Sequence, residues 1–369
     1  MIRILQVVPS LNINSGMMSV VMNYYRKIDR SKVQFDFLYF GEMKDSHQVE
    51  IEKLGGHAYY MKRPTFKPKD QKRLRDFFEA HKGEYTAVHC HPIWSSEVVA
   101  RAAKKSGIRH IIQHAHSTKY SEKRISAARN YLIVKFISFF ATDYIACNDE
   151  AAQLLGKKRA ASGQVYILPN AIDLQRYAFS ESLRVKIRQE FGIEPETVLL
   201  GSVGRLSVEK NQCFIVEIFK AFHEKKPDSK LILVGDGALR SRIEHKIAEL
   251  GLSDAVIMTG KRTDIRAILS GLDIFIMPSI FEGTPVSAIE ARTSGLPCLL
   301  SDTITKSVDM EGIQFVSIHK SPELWAKEAE GILDNNQRLN RHDYSEVVKH
   351  GFEIEREAVK LQEYYLELR

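Results

Sequence analysis

The chain has 369 residues, 44% hydrophobic and 27% charged, a composition that excludes disordered and fibrous classes and leaves room for two α/β domains. Its four cysteines, Cys90, Cys147, Cys213 and Cys298, form no C-x-x-C pair, which excludes a disulfide scaffold or thiolate zinc site and fits a reducing cytosol. The net charge of +7 is uneven: residues 1–170 carry 27 Lys+Arg against 15 Asp+Glu, and residues 171–369 carry 26 against 31, so the first half is the one suited to an anionic surface or substrate.

Residues 2–8 read as a first strand, with no leader pattern. The loop Pro9 to Gly16 then opens a helix near Met17. It is either a phosphate-approach loop or a plain strand-to-helix turn, because the G-x-G-x-x-G spacing is missing. Strands follow near 33–40, 57–61, 86–90, 108–114, 143–147 and 164–168, with helices at 17–28, 69–81, 95–106 and 122–141. This alternation predicts a parallel sheet with crossover helices.

Two strands end in paired histidines, His89/His91 and His114/His116. Residues two apart share a strand face, so each pair projects together. No acidic partner stands at ligand spacing and no D-x-D occurs, so no metal is expected. One or two of the four are expected in a binding cleft and the others in the structure. The basic clusters 62–75 and Lys119 to Phe140 are either a membrane-facing surface or, for the second, a core helix with a solvated edge. Tyr131–Ala141 is the most apolar run, too short to span a bilayer and interrupted by Lys135.

The break between halves falls at Leu168-Pro169-Asn170-Ala171-Ile172-Asp173, giving domains 1–170 and 171–351. A final amphipathic helix, 352–369, carries Phe352, Ile354, Ala358, Leu361 and Tyr364 at helical spacing. In the second half strands fall near 197–203, 230–234, 255–259, 273–277, 297–300 and 313–318. Helices separate them at 211–225, 238–250, 264–270, 285–294 and 322–334. Two such sheets predict a pair of doubly wound, Rossmann-like domains with a cleft between them and ligands at the carboxyl ends of the strands.

The chemistry concentrates at two loops. Gly204-Arg205-Leu206-Ser207-Val208-Glu209-Lys210 places two cations after a buried strand, suited to a diphosphate. Phe281-Glu282-Gly283-Thr284-Pro285-Val286 leads into a helix containing Glu290 and ending at Gly295. Thr284 is expected as N-cap and Pro285 at the first helical position. Glu282 then stands outside the helix and Glu290 inside it. Free helix-start N–H groups lie between them, an arrangement suited to the hydroxyls and diphosphate of a nucleotide-sugar. Gly235, in a tight turn, and Arg262, at another strand end, are weaker members of the set.

Taken together, Gly204-Arg205…Lys210, Gly235-Asp236-Gly237, Gly260, Pro278-Ser279…Glu282-Gly283…Glu290-Ala291…Gly295-Leu296-Pro297 and Ser301-Asp302 resemble the family 4 retaining glycosyltransferases of the GT-B fold, in order and spacing. The first half is more loosely similar through Gly16, His89-x-His91, His116 and Leu168–Asp173. The resemblance implies a metal-independent transferase with Arg205 and Lys210 on the donor diphosphate. Glu282 would meet the transferred sugar and Glu290 the ribose. Gly283 to Val286 would supply backbone N–H groups, Gly16 would admit the phosphate, and His116 would touch the sugar. The terminal helix would cross back to the first domain. Members often carry two glycines where this chain has Ser15-Gly16.

The flavour of the second half is most similar to bacterial exopolysaccharide and capsule enzymes. That likeness implies a UDP-sugar donor, a lipid-linked or saccharide acceptor, no cofactor and no nucleic acid. It also implies a cytoplasmic protein that touches the inner face of the anionic plasma membrane through its basic half. An epimerase or phosphorylase acting on the same ligands, or a non-catalytic partner protein, are the alternatives.

Overall fold

The computed structural model describes residues 1–13, 15–42, 45–120, 124–137, 139–334 and 340–368. Lys123 and the side chain of Arg124 lie outside the described part. The chain divides into two compact units, Met1–Ala171 with Glu353–Arg369, and Ile172–Phe352.

The first unit is built on a seven-stranded sheet: β1 Ile2–Ser10, β2 Val33–Gly41, β3 Ala58–Tyr60, β4 Ala87–Cys90, β5 His110–Ala115, β6 Asp143–Ala146 and β7 Tyr166–Ile167. Its order is β3-β2-β1-β4-β5-β6-β7 and the recorded pairings are parallel. One face carries Leu5, Val7, Leu38, Val88, Cys90 and Ile111 into an apolar cluster. The alternate residues point the other way and include Gln6 and His89, which are register partners in β1 and β4.

The terminal helix, Ile354–Glu367, belongs to this unit and packs on the helix Gly16–Lys27. Its buried stripe is Ile354, Glu357, Ala358, Leu361 and Tyr365. The expected stripe is corrected at two places. Tyr365 is buried where Tyr364 was expected, and Phe352 sits in the core of the other unit. The shift follows from the helix starting at Ile354, which sets the inward phase at 354, 358, 361 and 365.

The second unit has a six-stranded parallel sheet: β8 Val198–Val203, β9 Ser229–Val234, β10 Val256–Gly260, β11 Ile274–Met277, β12 Cys298–Ser301 and β13 Ile313–Val316. Its order is β10-β9-β8-β11-β12-β13. Both faces are covered, as near-continuous aliphatic strands require. Leu199, Ile232, Val234, Phe275, Met277, Cys298 and Leu300 enter one core. Leu200, Leu231, Leu233, Ile274, Ile276 and Leu299 enter the other. Gly201 interrupts the run for a steric reason: a Cβ there would lie 2.5 Å from the Leu272 side chain.

Both sheets are thus doubly wound, as the alternating pattern predicts. In each, strand order reverses once, between β1 and β4 and between β8 and β11, and such reversals open ligand crevices at the carboxyl ends. Two helices differ from expectation. Of the segment expected to be helical at 122–141, the described residues form the helix Arg124–Ile137 and a turn at 139–140. The helix expected at 285–294 runs Val286–Thr293, with Pro285 as its N-cap (φ −77°, ψ 93°) and no side-chain cap. Thr284 therefore does not cap it. Proline's fixed φ is compatible with the cap position, so the helix gains its first turn one residue late.

Candidate functional site

The second unit gathers the expected residues at the β8/β11 reversal. β8 delivers the loop 204–211 and its neighbour β11 delivers the loop 278–285. The two loops are tied by their own backbone: Ile280 N–H donates to Glu209 C=O at 2.8 Å, and Asn211 Nδ2 donates to Pro278 C=O at 3.3 Å. Gly204 leaves space for the Lys210 stem, since a Cβ would stand 3.3 Å from its Cε. Lys210 Nζ then reaches Glu282 Oε1 at 2.5 Å, with both side chains largely buried (23% and 14% exposed). This pair joins the two sequence motifs, 72 residues apart, in one contact.

Glu290 lies on the fifth residue of the helix Val286–Thr293. Burial raises its carboxyl to about 7, opposed by a hydrogen bond from Tyr177 and by the charges of Arg176 and Lys210. Lys210 is therefore paired with one glutamate and within electrostatic reach of the other. At the helix start the amides of Ala288 and Ile289 bond Pro285 C=O. Those of Val286 and Ser287 have no backbone acceptor among the described residues and carry the positive end of the helix dipole.

The other expected residues divide by what surrounds them. Gly235 has φ +136°, and a Cβ there would fall 1.9 Å from Gly204 C=O. Gly237 is similarly pressed on Leu206 C=O. These glycines let the β9 turn lie against the Arg205 loop, which is a packing role whatever else they do. Arg262 bonds Glu190 at 2.7 Å and Asp264 at 2.7 Å. Its guanidinium is thus engaged by two carboxylates.

Sequence reasoning passed over four residues. Asn211 holds the one positive φ (+56°) of any non-glycine among the described residues, at the junction of the 3₁₀ turn Val208–Lys210 and the helix Gln212–Lys225. Asn tolerates that conformation better than most residues, and this was its only signal. Gln212 Nε2 donates to Arg205 C=O at 2.8 Å and its Oε1 accepts from Ser207 N–H at 3.3 Å, clamping the loop that carries both cations. Arg176 and Tyr177 come from the short helix Leu174–Tyr177 and have no motif at all.

In the first unit, Gly16 is the first residue of its helix, capped by Ser15, and a Cβ on it would meet nothing within 4 Å. No packing demand in the unit calls for glycine there. His116 sits with His89, His91 and His114 in one cluster under the helix Gly16–Lys27. Burial drives all four rings towards the neutral form, with His89 and His116 lowered to about 3.

Known proteins bear on this geometry. Residues 184–349 match the family Glycosyl transferases group 1, and residues 15–176 match Glycosyltransferase Family 4. EpsF of Bacillus subtilis (strain 168), assigned by name to the glycosyltransferases, is 32% identical over 335 residues, 88% of this chain and 86% of its own. An Escherichia coli UDP-Gal:alpha-D-GlcNAc-diphosphoundecaprenol alpha-1,3-galactosyltransferase is 27% identical over 243 residues, covering 63% of this chain and 62% of its own. The crystal structure of Anabaena Alr3699/HepE with UDP and glucose superposes over the whole of both chains with a TM-score of 0.82 at 19% identity.

Proposed function

The chain belongs to glycosyltransferase family 4, and from that membership we propose a retaining, metal-independent enzyme that moves a hexose or N-acetylhexosamine from a UDP-sugar to a lipid-linked or saccharide acceptor in surface polysaccharide synthesis. The observation that carries the donor reading is the Lys210–Glu282 contact at the strand-order reversal, beside the open amides of Val286 and Ser287. As the bond from the anomeric carbon to the diphosphate breaks, negative charge builds on the leaving phosphate. Lys210, held by Glu282, is positive charge already in place for it, with the exposed Arg205 on the same loop and the helix dipole adding to it without a metal. Glu282 holds the lysine and offers its second oxygen to a sugar hydroxyl; Glu290 serves the ribose.

Ligand binding tests this first. In a thermal-shift series UDP raises Tm, as mass action requires for a ligand of the folded state. With a UDP-sugar and an acceptor extract, UDP is released in proportion to sugar transferred. No shift with any nucleotide would overturn the donor site. Conversion of one UDP-sugar into another without UDP release would favour an epimerase.

An anionic membrane is the second partner in this reading, through the first unit. No helix among the described residues is long and apolar enough to cross a membrane. The helix Arg124–Ile137 instead buries Ile133, Val134 and Ile137 and leaves Ile125, Leu132 and Phe136, with Phe139 beyond its end, 51–88% exposed. Ile125, Leu132 and Phe136 share one face of the helix, and Phe139 stands in the turn beyond it. Between residues 98 and 142 the sequence has nine Lys+Arg and one Glu. Arg63 lies near enough to Arg129 to feel its charge, which brings the 62–75 cluster to the same side. An apolar stripe among cations matches an anionic bilayer surface. Vesicles containing phosphatidylglycerol should retain the protein in flotation and pure phosphatidylcholine should not, while Leu132→Ser with Phe136→Ser should abolish retention without altering UDP binding. Equal retention by both lipids, or by the variant, would refute the contact.

A further inference from the structure

Three strand ends of the first unit meet at one aromatic contact. Arg63 follows β3, Phe40 lies near the end of β2, and Trp94 is the second residue of the helix Ile93–Lys105 that follows β4. The Trp94 ring packs edge-on to Phe40 with centroids 5.6 Å apart, and the Arg63 guanidinium lies 3.8 Å from the centre of the indole. Stacking engages the flat face of a guanidinium and leaves its N–H edge unspent. Among the described residues no carboxylate or carbonyl takes up that edge.

Arg129 is the second cation. Its Nε and Nη2 donate to Asn130 Oδ1 at 3.2 and 3.0 Å, and Asn130 Nδ2 donates to Tyr120 C=O at 2.7 Å. A guanidinium only donates and a backbone carbonyl only accepts, so this amide has a single orientation. Arg129 is thus held by an uncharged group, as Arg63 is held by an uncharged ring. Partial burial and then the charge of Arg129 act on Arg63, and both lower its pKa. Two arginines kept within reach of each other, with no carboxylate paired to either among the described residues, suit an anion. The surroundings of Arg129 say which one. Ile125, Arg129, Leu132 and Phe136 share one face of the helix Arg124–Ile137, and its apolar members are 88%, 51% and 51% exposed. A cation set in an exposed apolar stripe matches an amphiphile whose phosphate meets the arginine and whose hydrocarbon lies along Leu132 and Phe136.

We propose that Arg63, stacked on Trp94, and Arg129 bind the diphosphate of a lipid-linked acceptor, which makes the acceptor a glycolipid diphosphate and not a free saccharide. This rests on the transferase reading and narrows its acceptor to one chemical class. Arg63 supplies a flat, preoriented fork for two phosphate oxygens, and Arg129 adds charge beside the apolar stripe along which the lipid runs.

Farnesyl diphosphate, a soluble lipid diphosphate, tests this by calorimetry with UDP saturating, which keeps the donor site out of the titration. Arg63→Gln and Arg129→Gln should each weaken its binding about 10–100-fold, the range of a hydrogen bond to a charged group, while UDP affinity holds. Trp94→Leu keeps both charges and should cost about two- to fivefold. Lys105→Gln, at the far end of the same helix, removes an equal charge and should cost nothing. Leu132→Ser with Phe136→Ser should weaken farnesyl diphosphate and leave inorganic pyrophosphate as it was. In transfer, Arg63→Gln should raise KM for a lipid-diphosphate acceptor and not KM for the UDP-sugar. Equal affinity in the wild type and both glutamine variants would overturn the proposal, as would farnesol or pyrophosphate binding as tightly as farnesyl diphosphate. Vesicle retention lost in Arg63→Gln with the farnesyl diphosphate Kd intact would also overturn it, by assigning the pair to bilayer phosphates. Failure of the wild type to bind UDP would instead strike the transferase assignment and leave the diphosphate titration readable.

Discussion

Lys210→Ala lowers kcat for sugar transfer by about 10²–10³-fold, the cost of deleting one preorganised charge from a developing oxyanion, and Arg205→Ala/Lys210→Ala falls further. The reason is positional. Lys210 is delivered by the loop after β8 and held by Glu282 from the loop after β11, so its charge is in place before the leaving group develops. KM for the donor should move less than kcat, because the interaction strengthens as charge accumulates. Lys210→Arg keeps the charge but adds a planar fork where Gly204 leaves room for a slim stem, and should recover only part of the rate.

The pair also has a structural side, which a double-mutant cycle separates. Removing Lys210 leaves Glu282 in a pocket where its side chain is 14% exposed, and an unpaired carboxylate there is destabilising. Lys210→Ala/Glu282→Ala should therefore regain Tm lost in Lys210→Ala while transfer stays lost. Activity returning with stability would mean that Lys210 only holds the loops together.

Much of this was legible because it rests on local rules. Parallel strands buried on both faces are continuous aliphatic runs, so 198–203 and 274–277 announced themselves, and turn chemistry placed Arg205, Lys210 and Glu282 at strand ends. Glu290 was legible from its helix. What escaped depends on distant partners. Nothing local marks Tyr177 as the hydroxyl facing Glu290, or Gln212 as the clamp of the Arg205 loop. The histidines were visible as pairs on strands, but their partners Gln6 and Tyr365 come from another strand and from the terminal helix, some 250 residues on from His116 in the sequence. The cap of the helix Val286–Thr293 was misplaced by one residue because Thr284 and Pro285 satisfy the start rule in two registers, and packing chooses between them. The stripe of Ile125, Leu132 and Phe136 was hidden for the opposite reason: the helix is apolar on both sides, and periodicity does not say which side is covered.

Glu290 makes the second large prediction, through pH. Its carboxyl sits at about 7 because burial disfavours the charged form more than Tyr177, Arg176 and Lys210 favour it. Ribose hydroxyls donate, and a carboxylate accepts from them better than a carboxylic acid does. Uridine, which has no phosphate of its own to titrate, should bind about tenfold more weakly at pH 6 than at pH 8, since the ionised fraction falls about tenfold across a pKa near 7. Glu290→Gln should bind weakly and show a flat profile; a wild type equally flat would remove the ionised carboxylate from recognition.

The same shift has a stability consequence of opposite sense. A carboxyl raised in the folded state from 4.5 to about 7 binds more protons folded than unfolded between those values, so stability falls as pH rises through that window. In the unliganded protein Glu290→Gln should then have the higher Tm at pH 8, by an amount equivalent to at most about 3 kcal/mol, and lose that advantage by pH 4. A residue whose removal stabilises the empty protein while abolishing the pH dependence of uridine binding is one whose charge is kept for a ligand, because the fold is stronger without it.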